Sequence, residues 1–123
     1  MTSDPMKKHS QMERFTYALA GLQAAWKREA SFRTEVILFI GVMAFMLWMQ
    51  PPLFWWAAVL FAAALVFMAE LINTAIENIC DALHPDHHPL IGAAKDCASA
   101  AVLVAVTAAI TIFCGLVYWR WHC

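Results

Sequence analysis

Charge is scarce in this sequence. Eight Lys and Arg with nine Asp and Glu make up 14% of 123 residues, against roughly 25% in a soluble domain. That shortage excludes a nucleic-acid binder with a basic face, a disordered tail and an ordinary soluble enzyme. Four cysteines are present, but no C-x-x-C pair and no disulfide-framework spacing, so they read as free thiols. Neither a G-x-x-x-x-G-K-[ST] loop nor a G-x-G-x-x-G turn occurs, which removes both common nucleotide cradles. A secretory signal is not expected, because the first long apolar run begins only near Val36 and no A-x-A-type site follows it. What is abundant is hydrophobicity, at 63% of residues with mean hydropathy +0.63. One small all-helical domain lying in a membrane, spanning 1–123, is the expectation.

Three uncharged stretches carry that hydrophobicity, and a crossing helix needs about 20 apolar residues. Residues 52–69 and 98–119 meet this directly. Residues 36–49 meet it if Arg33 and Glu35 sit at the interface and lend it their stems. Gln50, Pro51 and Pro52 form a tight turn, with proline opening the next helix. Helices are expected over 33–50, 52–81 and 96–120, with the loop 82–96 between the last two. Six of the eight basic residues (Lys7, Lys8, Arg14, Lys27, Arg28 and Arg33) precede the first span. That bias places the N-terminus and the 82–96 loop in the cytoplasm and Cys123 on the far, periplasmic side. Trp48, Trp55, Trp56, Trp119 and Trp121 then form an aromatic belt at the far face. Ahead of the spans, Phe15, Leu19, Leu22 and Trp26 recur at helical spacing. They predict an amphipathic helix over 10–28 lying on the membrane surface.

The candidate chemistry lies at the cytoplasmic side, where all nine acidic residues fall. Glu70, Asn73, Glu77 and Asp81 lie within about 80° of one another on the second spanning helix, forming one polar stripe. Glu70 comes 18 residues after Pro52, roughly 27 Å along the helix, which sets it at the inner rim of the hydrocarbon. One reading is simply a helix leaving the membrane. The other starts from the absence of Lys or Arg in the stripe, since like charges repel by a few tenths of a kcal/mol per pair. A divalent cation, a proton or a basic partner would account for such a face. Mg²⁺ suits one or two carboxylates plus phosphate oxygens. Glu29 is either a second ligand or a charge at the bend between two helices. Lys95, beside Asp96 and Ser99, is either a phosphate-holding point charge or a cytoplasmic anchor. His84, His87 and His88 follow Cys80, but the spacing matches no zinc signature, and Pro85 and Pro89 point to a solvated turn.

Glu70-Leu-Ile-Asn73-Thr74-Ala75-Ile76-Glu77-Asn-Ile-Cys-Asp81 resembles the signature of the small prokaryotic diacylglycerol kinases, which share their fold with bacterial undecaprenol kinases. The resemblance continues in Gly21-Leu22-Gln-Ala24-Ala25-Trp26-Lys-Arg-Glu29-Ala30-Ser-Phe32-Arg33-Thr-Glu35 and in Gly92-Ala-Ala94-Lys95-Asp96-Cys-Ala-Ser99. It covers about residues 10–120. The Ala24-Ala25-Trp26 and Phe32-Arg33 matches look more like the Gram-negative diacylglycerol enzymes than the undecaprenol branch.

The resemblance implies an ATP- and Mg²⁺-dependent lipid kinase making phosphatidic acid from diacylglycerol at the bacterial inner membrane. It also implies a homotrimer with active sites shared between protomers, and no nucleic-acid partner is expected. Glu70 matches the general base, with Asn73 beside it at the catalytic position. Glu29 and Glu77 match the metal ligands. Tyr17, Glu29, Glu77, Asp86, His87, His88, Lys95 and Asp96 match nucleotide-contacting positions. Ala25, Trp26, Phe32, Arg33, Glu35, Trp48, Glu70 and Ser99 match positions lining the lipid site. The chain carries Ser10, Ala18 and Ala93 where Gram-negative members commonly carry Arg, Ser and Arg, departures that bear on nucleotide affinity and lipid choice. Undecaprenol is the alternative lipid. A small proton-coupled transporter is the alternative of another class, but it calls for a carboxylate near mid-membrane, where this chain has none.

Overall fold

The computed structural model describes residues 10–83 and 88–123; Asp86 and His87 lie outside them. Among the described residues the chain forms four helices and no strand: α1 (Gln11–Arg28), α2 (Ala30–Met49), α3 (Leu53–Leu83) and α4 (Pro89–His122). Helices α2, α3 and α4 are each long and apolar enough to cross a membrane. At about 1.5 Å per residue, α3 and α4 run roughly 46 and 51 Å, well beyond a hydrocarbon core of about 30 Å. Both therefore have ends to spare for water. Their spare polar ends lie together, because α3 and α4 are joined by a short connection and share the largest interhelical contact in the chain.

Local chemistry sets each boundary. Ser10 caps α1 in a reciprocal capping box with Glu13, satisfying donors that the first turn leaves unpaired. Lys27 and Arg28 occupy its last turn, where the helix dipole favours cations. The break between α1 and α2 is a single extended residue, Glu29 (φ −109°, ψ 109°). Arg33 spans the break, its Nη1 donating to the carbonyls of Trp26 (2.7 Å) and Lys27 (3.2 Å). This clamp lets α2 begin at Ala30, three residues earlier than the sequence pattern predicts. At the other end of α2, Gln50 adopts a left-handed conformation (φ 51°, ψ 58°), and Pro51 and Pro52 prevent continuation.

The expected 82–96 loop is shorter than predicted, because α4 starts at Pro89 and residues 89–95 are helical. His88 caps this helix through Nδ1, which accepts from the Leu90 amide at 3.1 Å. Proline at the first helical position forfeits only a donor that would be unpaired there anyway. The helical start carries Lys95 and Asp96 on α4 rather than on a loop.

The packed core lies at the end of the bundle away from the polar tips. Met46, Val59 and Leu116 are buried there, with Trp55, Trp56, Phe113 and Trp119 against them. Gly115 permits the close approach, since a Cβ on it would stand 3.3 Å from the Trp55 ring. Elsewhere the helices present large apolar side chains outward, among them Leu38, Phe61 and Val104. Thr107 and Thr111 hide their hydroxyls by donating to the carbonyls of Leu103 and Thr107 within α4. Such a surface suits lipid, where exposed polar groups are costly. The chain is a membrane protein by construction.

Candidate active site

The polar end of the bundle gathers carboxylates from three elements. Glu70 on α3 is only 5% exposed, and Asn73 and Thr74, the next turn along, are each 9% exposed. Glu35 enters from α2 and faces Glu70 across the interhelical contact. Glu29, at the α1–α2 break, and Glu77, two turns beyond Glu70, are both close enough to act electrostatically on the Glu70 carboxyl. No Lys or Arg among the described residues is paired with Glu29, Glu35, Glu70 or Glu77. Burying like charges without a cation is costly, so the cluster calls for a proton, a cation or a further partner.

Two atoms within it lack partners. Asn73 donates through Nδ2 to Glu77 Oε1 at 3.0 Å, but its Oδ1 is buried with no donor aimed at it. Glu35 Oε2 is in the same position. A buried acceptor without a donor typically costs about 1–3 kcal/mol. A hydroxyl or metal-bound water placed between α2 and α3 would relieve both. Asn73 also separates Glu70 from Glu77, so the acidic stripe is not a bare row of like charges.

The stripe also divides at its outer end. Asp81 accepts from Lys95 Nζ at 2.7 Å, tying α3 to α4. Its carboxylate holds the exposed Lys95 ammonium, outside the apolar stretch, above the ordinary lysine range. Asp96 and Ser99 are exposed on the following turns of α4, and Tyr17 is half-buried on α1. His88 serves as the α4 cap.

The residues matched to the lipid site divide into two groups. Ala25 is 1% exposed and Phe32 6% exposed, and Phe32 packs edge-on against Phe67 of α3 with ring centroids 5.8 Å apart. Trp26 and Arg33 meet them at the clamp between α1 and α2. Trp48 is exposed thirteen residues beyond Glu35, roughly 20 Å along α2, and one chain does not bring it to the acidic cluster. Running from Glu35 toward Trp48 is an apolar groove between α2, α3 and α4. It holds about 360 Å³, with Phe39, Val42, Val66 and Phe113 among its walls.

The resemblance sets Glu35 and Glu70 at one lipid site, but residue spacing alone does not bring the two carboxyls face to face. The signal was present: Glu35 is the last charge before one apolar stretch, and Glu70 is the first after the next. Antiparallel neighbours of similar length place two such residues at one depth. For a metal, the described residues contain no ready-made cluster of three or more His, Cys, Asp or Glu side chains. The donor chemistry still fits Mg²⁺, which takes one or two carboxylates and completes its shell with water and phosphate.

Comparison with known proteins identifies the family. The sequence model of the family described as prokaryotic diacylglycerol kinase matches residues 16–117. A diacylglycerol kinase of Escherichia coli K12 is 34% identical over 102 residues, covering 83% of this chain and 84% of the relative. Those of Helicobacter pylori and Pseudomonas aeruginosa are each 33% identical, over 103 and 111 residues. They cover 84% and 87% of this chain and 73% and 90% of their own lengths. The chain belongs to the prokaryotic diacylglycerol kinase family and is a lipid kinase.

Proposed function

We propose that the protein transfers the γ-phosphoryl group of ATP to the free hydroxyl of diacylglycerol, giving phosphatidic acid at the cytoplasmic face of a bacterial inner membrane. The carrying observation is the Glu70 carboxyl, 5% exposed at the level where α3 turns from apolar to polar. A lipid hydroxyl and a nucleotide phosphate, which come from different phases, can meet only at such a level.

Phosphoryl transfer demands in-line positioning and neutralised charge more than covalent chemistry. Glu70 accepts the proton of the hydroxyl as its oxygen attacks, a role worth typically about 10²–10⁴-fold in rate. Asn73 offers its unpartnered Oδ1 to the incoming hydroxyl or to water and holds Glu77 in place through Nδ2. Glu29 and Glu77 would hold Mg²⁺, which when bound supplies positive charge to the phosphate oxygens. Lys95 offsets further phosphate charge, and Asp96, Tyr17, Asp86, His87 and His88 flank the nucleotide. Arg33 supports Glu29 by clamping the break at which that residue stands. Glu35, Ala25, Trp26, Phe32 and Ser99 surround the lipid head, and Trp48 lies farther along an acyl chain. The exposed Phe15, Leu19, Leu22 and Trp26 of α1 rest on the membrane surface as an amphipathic helix. A homotrimer gives the half-open polar cluster neighbours to close it, because polar groups in a bilayer need protein or water around them. With the N-terminus cytoplasmic and Cys123 periplasmic, the polar tips of α3 and α4 face the nucleotide.

Undecaprenol is the second lipid to weigh, because it would present its hydroxyl at the same depth. Purified protein in mixed micelles, given Mg-ATP and either diacylglycerol or undecaprenol in parallel, tests the reading. Phosphatidic acid formation that requires Mg²⁺ and exceeds undecaprenol phosphorylation is the expected result. Preference for undecaprenol would reassign the substrate, and absence of both products would remove the kinase reading.

A further inference from the structure

Lys95 is the sole Lys or Arg between Arg33 and Arg120, so one ammonium serves the whole polar end of α3 and α4. It does not hang free. Asp81, fourteen residues earlier and on the neighbouring helix, holds it at 2.7 Å. Asp81 lies one turn beyond Glu77 on the same face of α3. The ammonium is thereby fixed beside the outer carboxylate of the cluster.

We propose that Asp81 is a positioning residue for the phosphoryl donor: its carboxylate holds the Lys95 ammonium at the outer edge of the acidic cluster, where the nucleotide phosphates arrive. The inference rests on the kinase reading given above. A staple between α3 and α4 is the plainer account of the contact, but both partners are well exposed, at 39% and 66% for Lys95 and Asp81. Exposed pairs contribute little to stability. A lysine side chain has many rotamers, and an anion that binds it must ordinarily freeze them. Holding the ammonium in advance lowers that cost of binding. Asp81 also carries a charge that repels phosphate, so the two effects oppose each other in nucleotide affinity. The proposal commits to the first as the larger.

The test compares wild type, Asp81→Asn, Asp81→Glu and the charge swap Asp81→Lys with Lys95→Asp, all purified in the same detergent. Turnover is measured against Mg-ATP at saturating lipid and against lipid at saturating Mg-ATP, alongside thermal unfolding. Asp81→Asn is expected to raise the KM for Mg-ATP about two- to fivefold, the range that exposed ion pairs command. Its kcat, its KM for lipid and its Tm should stay near wild type. Asp81→Glu should recover part of the loss. The swap rebuilds the ion pair with the ammonium on the wrong helix, so it should keep Tm near wild type without regaining nucleotide affinity. An unchanged or lowered KM for Mg-ATP in Asp81→Asn would overturn the proposal, as would recovery of affinity in the swap. Wild-type protein that phosphorylates no lipid would instead overturn the kinase reading, which separates the two failures.

Discussion

The two ends of this helical bundle solve opposite problems. At one end Met46, Val59 and Leu116 are buried among Trp55, Trp56, Phe113 and Trp119, and among the described residues no buried side-chain polar atom there is left unsatisfied. At the other end Glu35, Glu70 and Asn73 are drawn inward with two oxygen atoms unsatisfied. The first arrangement is what packing alone would select. The second is costly unless a ligand, a water or another chain supplies donors and cations. On the proposed function, stability and activity are separated along the helix axes, and substitutions at the two ends should fail in different ways.

The largest effect is expected at Glu70. Glu70→Gln keeps the size and polarity of the side chain but removes the proton acceptor. Turnover should fall by about 10²–10⁴-fold, with KM for Mg-ATP and thermal stability close to wild type. Wild-type turnover in this variant would show that Glu70 is not the base, and Asp96 would be tested next. At the packed end, Leu116→Ala should behave in the converse way. Lipid tails are as apolar as leucine, so little is gained by burial as such and the cost lies in the void. A residual cavity of about 80 Å³ at about 24 cal/mol per Å³ gives about 2 kcal/mol. Thermal unfolding in detergent should shift downward accordingly, while kcat measured well below the transition is retained. A large kcat loss at unchanged Tm would break the separation of the two ends.

Much of this contrast can be read from sequence, and the remainder has identifiable physical reasons for being hidden. The apolar stretches and the Glu70-Asn73-Glu77-Asp81 stripe follow from composition and helical spacing alone, because both are periodic within one helix. The facing of Glu35 and Glu70 depends on how two helices align, which no single-helix period reports. Asp81 falls in the stripe by spacing within α3, but its partner, Lys95, comes from α4, which that spacing does not report. Lys95 falls within the expected 82–96 loop but lies on α4. Pro89 points in sequence to a solvated turn, whereas in the structure it opens α4 at its first turn. Arg33 matches the lipid site in sequence, yet its Nη1 is turned back onto the α1 carbonyls, a capping role that local sequence does not announce. The residues 84–87 between α3 and α4 lie outside the described structure, so the roles of Asp86 and His87 rest on the resemblance alone.

The smallest effect sharpens the comparison at the packed end. Gln50 closes α2 with φ at 51° and ψ at 58°, a conformation that costs an ordinary side chain roughly 1–2 kcal/mol. Glycine occupies it freely. The strain is partly offset in the native protein, because the Gln50 side-chain amide donates to the Leu47 carbonyl at 2.7 Å. Such a contact is worth about 0.5–1.5 kcal/mol, and glycine would also lose more backbone freedom on folding. Gln50→Gly should therefore change stability by less than about 1 kcal/mol, because relief of the left-handed strain and these two losses nearly cancel. Because the turn lies at the end remote from Glu70, kcat and both KM values should not move. Thermal unfolding in detergent and lipid phosphorylation, measured on one preparation, check the two halves of the statement. A marked loss of turnover at unchanged or higher Tm would mean that the two ends are coupled through α2, along the groove that runs from Glu35 toward this turn.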